Sequence, residues 1–333
     1  MRKVSVVIPL YNGEEFISDV INSVLNQSYD DYEIIIVDDG SSDQGVHLAR
    51  KFSDDRIQIV QQENRGLAGA RNTGILYAKG EYVALLDADD LWDKDKLKHH
   101  VDHLDRNTDV GVSYSQSHLM DDNKQPLGII QKPQLDSITA VTILCRNPIG
   151  NGSAPVIRKK VFDEIMVTKK INGVNRNCYF DEEFRQSEDI ECWIRIALMT
   201  QWKFEGIGLP LTWYRVNSNG LSADVDKQLE SWEKVINKID CYSSGFEKKY
   251  VKMAKAYQYR YLARRAIRSR DAITAVRLVN KAITTDISIL SNEPGKTMVT
   301  FVCAYLLYVL PNKLYGLIEM QAINFSLRQQ QTC

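Results

Sequence analysis

Polar clusters that could do chemistry recur at one kind of place in this chain. Tyr11-Asn12 and Glu14 follow the run VSVVIPL, Asp38-Asp39-Gly40 follows EIIIV, Glu63-Asn64 follows RIQIVQ, and Asp87-Ala88-Asp89-Asp90 follows YVALL. Carboxylates brought together in this way repel at neutral pH unless a cation offsets them. Oxygen ligands suit Mg2+ or Mn2+, which bind a few protein carboxylates and complete their shell with substrate phosphates. Asp87 and Asp89 therefore suggest a metal–diphosphate site, and an Asp-rich turn capping the next helix is the alternative. A further acidic pair, Ser187-Glu188-Asp189, opens an amphipathic stretch with Ile190, Trp193, Ile194 and Ala197 on its apolar face. Taken alone, these are acids favoured in a first helical turn.

The elements that must position these clusters alternate regularly from residue 3 to about 116. Strand runs VSVVIPL, EIIIVDD, RIQIVQ, YVALLD and VGVSYSQ are separated by helical stretches over 14–26, to Phe52, over 66–78 and over 94–105. This order predicts an α/β fold with a mostly parallel sheet covered on both faces. Ligands of such sheets bind outside the carboxyl ends of the strands, where the polar clusters fall. Residues 1–224 are read as one domain in two halves, 1–116 and 117–224, the second holding NPIGNGSAP and the helix over 187–199. Residues 225–333 lose the alternation. They read as a helical extension with helices over 228–240, 246–268 and 271–284, and residues 257–283 are spaced like a tetratricopeptide-type hairpin.

The chain has 333 residues, 44% hydrophobic and 26% charged, which excludes disordered, collagenous and small disulfide-scaffold classes. Its net charge of -1 is a cancellation: residues 1–246 hold 28 basic and 38 acidic side chains, whereas 247–281 hold 11 basic against Glu247 and Asp271. Basic and aromatic residues interleave in that second segment. Two readings stand for it: attraction to an anionic membrane surface, or a solvated helix whose charge balances the acidic domain of its own or a second subunit. No nucleic-acid motif accompanies the charge, so nucleic acid is not expected as a partner. The apolar stretch 298–310 is shorter than the ~20 residues that span a bilayer, yet it could lie on one. The six cysteines are scattered and read as reduced thiols. MRKVSVVIPL reads as a first strand rather than a secretion signal, which gives a cytoplasmic location, peripheral on the inner membrane face if the tail docks. His47, His99, His100, His103 and His118 have no carboxylate at ligand spacing and read as solvated faces.

The strings VSVVIPLYNGEEFI, IIIVDDGSSD, ENRGLAGARNTGI, GEYVALLDADD and SEDIECWIRIA followed by WYRVNSNGLS occur in order. Together they resemble the family-2 glycosyltransferases of the GT-A fold, over roughly residues 3–220. The resemblance implies transfer of a sugar from a nucleoside diphosphate donor to an acceptor hydroxyl, in polysaccharide, lipid-linked oligosaccharide or glycoconjugate synthesis of the bacterial type. It makes 1–116 the nucleotide-sugar-binding half and 117–224 the acceptor half of the catalytic domain, and places Pro9 and Tyr11 beside the nucleobase. Asp39 would accept the imide N–H of a uracil, favouring UDP-sugars; the plainer reading, a helix start capped by Ser42 or Asp43, can hold beside it. Arg71 would face the diphosphate or an acidic neighbour, with a plain helix salt bridge as the alternative. Glu14, Asn64 and Ala88 complete the implied donor set. Asp89 is implied as ligand of a Mn2+ or Mg2+ cofactor and Asp87 as partner of the ribose or of a metal-bound water, while Asp90 reads as structural.

By the same resemblance Asp189 is the base that takes the acceptor proton, and Glu188 binds the acceptor or orients that base. One carboxylate without an opposing nucleophile suits a single displacement with inversion. The His that many members carry near 217–219 is replaced here by Asn217 and Asn219, which puts a third metal ligand in doubt. The QxxRW string of processive synthases is absent, so single additions are expected. A rival class is a sugar-nucleotide-binding partner that has lost turnover; intact Asp39, Asp87, Asp89 and Asp189 favour the enzyme. The C-terminal helices would serve membrane association or homo-oligomerisation.

Overall fold

The computed structural model describes residues 3–171, 173–216, 225–243 and 245–331, with side chains to residue 321. In chain order the elements are β1 (Val4–Leu10), α1 (Ile17–Leu25), β2 (Tyr32–Asp38), α2 (Gly45–Ala49), β3 (Ile57–Gln61), α3 (Gly66–Tyr77), β4 (Tyr82–Leu85), β5 (Leu91–Trp92) and α4 (Lys96–Arg106). Then follow β6 (Val110–Met120), β7 (Pro126–Gln131), α5 (Ala140–Arg146), β8 (Val156–Arg158), α6 (Lys159–Ile165), β9 (Val167–Ile171), β10 (Val174–Cys178), α7 (Glu188–Met199) and β11 (Lys203–Arg215). The remainder is helical: α8 (Val225–Tyr242), α9 (Lys248–Arg268), α10 (Ala272–Thr285), α11 (Ile289–Asn292), α12 (Pro294–Val309) and α13 (Asn312–Gln331).

Nine strands form the main sheet in the order β3-β2-β1-β4-β8-β6-β11-β5, with β7 paired to β6. Strands β3, β2, β1 and β4 are mutually parallel, and β6 and β11 are parallel to each other. Strand β8 lies antiparallel between these two groups. Register decides where the clusters emerge: Leu10 pairs with Asp38 and Asp38 with Gln61, so the residues after β1, β2 and β3 leave the sheet in one row. All seven residues of β1 are buried, because helices cover both faces. On one face α1 contributes Ile17, Val20, Ile21 and Val24, the spacing of a helical stripe. On the other face α3 lies so near β1 that a Cβ on Gly74 would strike Val7. The helix expected up to Phe52 is only the five-residue α2, since Ser41, Ser42 and Asp43 are held by loop contacts instead of helical ones.

The chain divides into two compact units, Met1–Ala223 with Ser231–Ser244, and Asp224–Glu230 with Gly245–Cys333. The greater part of α8 thus belongs with the α/β unit, past the boundary that the change of pattern at 225 suggests. The second unit is built on Leu262, Ala263, Ala266, Ala275, Leu278, Val279 and Ala282 of α9 and α10, packed with Ala304 and Leu307 of α12. Alanines at the crossing let the α9–α10 hairpin close, and Asp271 caps α10 by accepting the Thr274 N–H at 3.0 Å.

Candidate active site

The loops leaving β1 and β2 clasp each other. Asn12 donates its N–H to Ser41 Oγ and accepts the Ser42 N–H at Oδ1 (3.1 and 2.9 Å); the Glu14 N–H reaches Asp43 and the Gln44 N–H reaches Glu14, both at 2.8 Å. Glu14 is therefore engaged with backbone across the loop. Pro9 is buried within β1, whereas Tyr11 stands 56% exposed at the strand's end, an uncovered aromatic face. Asn64 is exposed, with its backbone 3.1 Å from the Cβ position of Gly40.

Asp39 is buried, and both its oxygens are engaged. Oδ1 accepts the Arg65 N–H (2.8 Å) and Gln62 Nε2 (2.7 Å), and Oδ2 accepts the Gly66 N–H (2.7 Å). The carboxylate thus caps α3, one crossover further along the chain than the helix it was expected to start. Of about four acceptor positions on a carboxylate, three are taken.

Arg71 on α3 reaches into the interior between two acidic strings distant in sequence. Its Nη2 donates to Asp87 Oδ1 at 2.7 Å and its Nη1 to Glu188 Oε1 at 2.9 Å, and the guanidinium lies 5.4 Å from the centroid of the Phe180 ring. Burial alone would disfavour the charge, but Asp87 and Glu188 outweigh it and hold the group protonated. Its Nε is buried without a hydrogen-bond partner among the described residues. Gly152 completes the fit, because a Cβ there would collide with both the Arg71 guanidinium and Asp87.

Asp87 and Asp89 are partly exposed, whereas Asp90 is buried. Burial and the neighbouring Asp87 push the Asp89 carboxyl up to about 6. Asp90 is shifted well above the ordinary range by burial and by Asp89. Its carboxyl accepts the Ser153 hydroxyl at 2.6 Å and the Arg215 N–H at 2.9 Å, and so ties β11 to the turn before β8. Ala88 lies beside Gly13, where a Cβ would crowd Leu10 at 2.9 Å and meet Ala88 at an ordinary 3.6 Å. Arg215 donates to the carbonyls of Asp89, Asp121 and Asp122 while stacking on Phe16 at 4.2 Å.

Glu188 and Asp189 begin α7 after Ser187, whose φ of 61° is left-handed and unusual for serine. Glu188 is buried and raised to about 7, first by desolvation, with Arg71 opposing. Desolvation also raises Asp189, which accepts the Ile190 N–H at 2.7 Å and faces the Asn147 amide at 3.5 Å. The site thus has two carboxylates at a sheet edge, two at a helix start, and one guanidinium spanning both sets.

A family model described as "Glycosyl transferase family 2" matches residues 5–166. The chain is 30% identical over 232 residues to the Escherichia coli protein "UDP-Glc:alpha-D-GlcNAc-diphosphoundecaprenol beta-1,3-glucosyltransferase WfgD", covering 69% of this chain and 84% of that one. It is 32% identical over 225 residues to "Putative teichuronic acid biosynthesis glycosyltransferase TuaG" of Bacillus subtilis, covering 66% and 82%. The chain belongs to glycosyltransferase family 2. Among solved structures it resembles the mannosyltransferase PcManGT of Pyrobaculum calidifontis, described in complex with GDP-Man and Mn2+, at a TM-score of 0.56 with 18% identity over 92% of this chain and 85% of that one. S. aureus TarS 1-349 in complex with UDP follows at 0.53 and 17%, covering 87% and 92%. These likenesses show the GT-A fold, here carrying C-terminal helices.

Several residues of this glycosyltransferase escape a linear reading. Asn72 accepts the N–H groups of Tyr179 and Phe180 and donates to the Phe180 carbonyl, so α3 holds the segment leading to α7. From α8, Ser231, Lys238 and Tyr242 reach Gln186, Asp181 and Glu191, bracketing the same segment. The histidines are not solvated as a group. Only His47 is exposed; His100 is fully buried, His103 half-buried, and His118 stacks on Trp213 at 4.2 Å. Helical periodicity placed His99, His100 and His103 on α4 but could not tell that α4 turns His100 inward against β6. The segment 217–222, including Asn217 and Asn219, lies outside the described residues.

Proposed function

We propose that this glycosyltransferase adds single sugars from a nucleoside diphosphate donor, a UDP-sugar, to an acceptor hydroxyl with inversion at the anomeric carbon. The observation that carries the reading is the Arg71 guanidinium bridging Asp87 and Glu188, since it brings the donor-side and acceptor-side acids within the span of one side chain. Tyr11 offers a platform for the base, with Pro9 behind it. Asp39 keeps one lone-pair position for the imide, while its other bonds fix the loop; Glu14 and Asn64 shape that loop. Among the described residues no group of three or more His, Cys, Asp or Glu assembles as a metal site. The raised Asp89 beside Asp87 is nonetheless a surplus of negative charge that a cation would relieve. Mn2+ or Mg2+ held on Asp89 and Asp87, with phosphate and water oxygens, would neutralise charge on the departing diphosphate.

Asp189 takes the acceptor proton as the new glycosidic bond forms, and its raised affinity for protons suits that task. Glu188, held by Arg71, orients the acceptor and the base. No carboxylate is assigned as a nucleophile, consistent with one displacement.

The names of WfgD and TuaG connect those relatives to lipid-linked and polysaccharide synthesis, and the same acceptor class, a saccharide or lipid-linked oligosaccharide, is proposed here. In the second unit Met298, Val299, Val302 and Val309 of α12 and Leu314 and Leu317 of α13 are exposed, and α9 exposes Lys248, Lys252, Arg264 and Arg268. This combination supports peripheral docking on the anionic cytoplasmic face of a membrane; self-association through the same helices is the competing outcome. Among the described residues no helix is long and apolar enough to cross a bilayer.

The experiment is a donor screen. Purified protein with Mn2+ should release nucleoside diphosphate slowly from one UDP-sugar and melt at higher temperature in its presence. The absence of both release and binding with every sugar nucleotide tried would refute the transferase reading.

A further inference from the structure

Lys96, at the start of α4, is fully buried, and nothing in the proposed chemistry uses it. Its Nζ lies 2.8 Å from the Ala154 carbonyl, 3.1 Å from Thr212 Oγ1 and 3.3 Å from His100 Nε2, and 5.3 Å from the centroid of the Trp92 ring. Burying an amine is costly unless its hydrogen bonds are made, so a methionine would fill this place more cheaply if only packing were required.

What the amine holds is the turn at 151–154. Ser153 in that turn donates its hydroxyl to Asp90 Oδ2 (2.6 Å) and accepts the Asp87 N–H (3.0 Å), and its carbonyl accepts Trp92 Nε1–H (3.0 Å). Gly152 in the same turn lies against the Arg71–Asp87 pair. The turn is therefore the seat of the DADD string, and Lys96 pins it from the interior side. We infer that Lys96 is a positioning residue of the donor site, acting through the Ala154 carbonyl and Ser153 to set the place of Asp87. The inference rests on the reading of Asp87 and Asp89 as the seat of the donor's diphosphate.

The groups facing Nζ are His100 on α4, Ser115 on β6 (3.5 Å), Thr212 on β11, the Trp92 ring on β5, and Asp90 at longer range. Burial lowers the proton affinity of Lys96 well below its usual range, with Asp90 opposing. From His100 the contacts continue to Ser113 Oγ (2.7 Å), His103 Nδ1 (2.8 Å) and Glu205 (3.2 Å) at the surface. The pin is thus connected to solvent through a line of polar groups, and its donor count changes when it loses a proton.

The test is calorimetric binding of UDP with Mn2+ to the full chain for wild type, Lys96→Met, Ser153→Ala and the double variant. Each single change should weaken binding about tenfold. The double variant should be no weaker than Lys96→Met alone, and the pH dependence of wild-type affinity should flatten in Lys96→Met. If Lys96→Met does not fold, Thr212→Val removes one partner of the same amine and should weaken binding about two- to threefold. Wild-type affinity in the variant that folds, or fully additive losses in the double variant, would overturn the inference. Failure of the wild type itself to bind UDP with Mn2+ would instead refute the donor-site reading and remove the inference with it.

Discussion

The two units treat charge and apolar surface in opposite ways. In the α/β unit Arg71, Asp90, Lys96, Arg158, Glu188, Glu191, Arg195 and Arg215 are buried, and each has a hydrogen-bonded or ionic partner. In the helical unit the buried charged residue, among the described residues, is Arg260, paired with Glu293, while α12 carries apolar side chains on its inner and outer faces alike. Burying titratable groups is tolerated only where geometry satisfies them, so the first unit has committed its interior to holding such groups in place. A helix apolar all round is normally covered, and the proposed docking of the second unit would supply that cover. The comparison separates the proposed chemistry from the proposed docking.

It can be broken most forcefully at the proposed base. Asp189→Asn should lower kcat by about 10²–10⁴-fold in a transfer assay while circular dichroism stays unchanged. Arg71→Met should leave the buried Glu188 carboxylate and the partly exposed Asp87 without their guanidinium partner and destabilise the α/β unit by about 3 kcal/mol in urea unfolding. Adding Glu188→Gln should recover part of that loss, because one stranded charge is removed. Gly152→Ala, which drives a methyl into the same bridge, should destabilise by about 1–3 kcal/mol, read as a lower Tm.

The buried acids also give stability a pH dependence. Unfolded Glu188 releases its proton near its ordinary value of 4.5, whereas the folded group holds it to about 7. Between about 4.5 and 7 the folded state therefore binds more protons, and this group's contribution to stability falls as pH rises. Urea midpoints across that range should show the slope, and Glu188→Gln should flatten it. The smallest effect on turnover belongs to the other unit. Replacing Val299 and Val302 with serine should leave soluble donor hydrolysis nearly unchanged but weaken sedimentation with anionic liposomes about tenfold or more. Equal liposome binding by the variant would end the membrane reading of α12, and concentration-dependent dimerisation lost in the variant would replace it with self-association.

Much of this was legible in the sequence, for a physical reason. The acids that follow β2 and β4 are placed by strand register, and Glu188 and Asp189 by a helix start, so local pattern locates them. Their partners are not local. Asp39 caps α3 rather than the helix next in line, Asn72 grips backbone at 179–180, and Gly152 is small because Arg71 passes it; each depends on a contact that pattern alone does not record. Lys96 and His100 share the failure in a sharper form, since polar residues on a charged helix read as solvated until the sheet behind the helix is known. The return of α8 onto the α/β unit had no signal in the change of composition at 225.

The central claim is that Arg71 joins two acidic sets with different tasks, donor seating at Asp87 and proton removal at Asp189. Calorimetric binding of UDP with Mn2+ to Asp87→Asn and to Asp189→Asn tests it most directly. The account expects affinity to fall by about tenfold or more in Asp87→Asn and to stay at the wild-type value in Asp189→Asn. Equal losses in both variants, or none in Asp87→Asn, would contradict it.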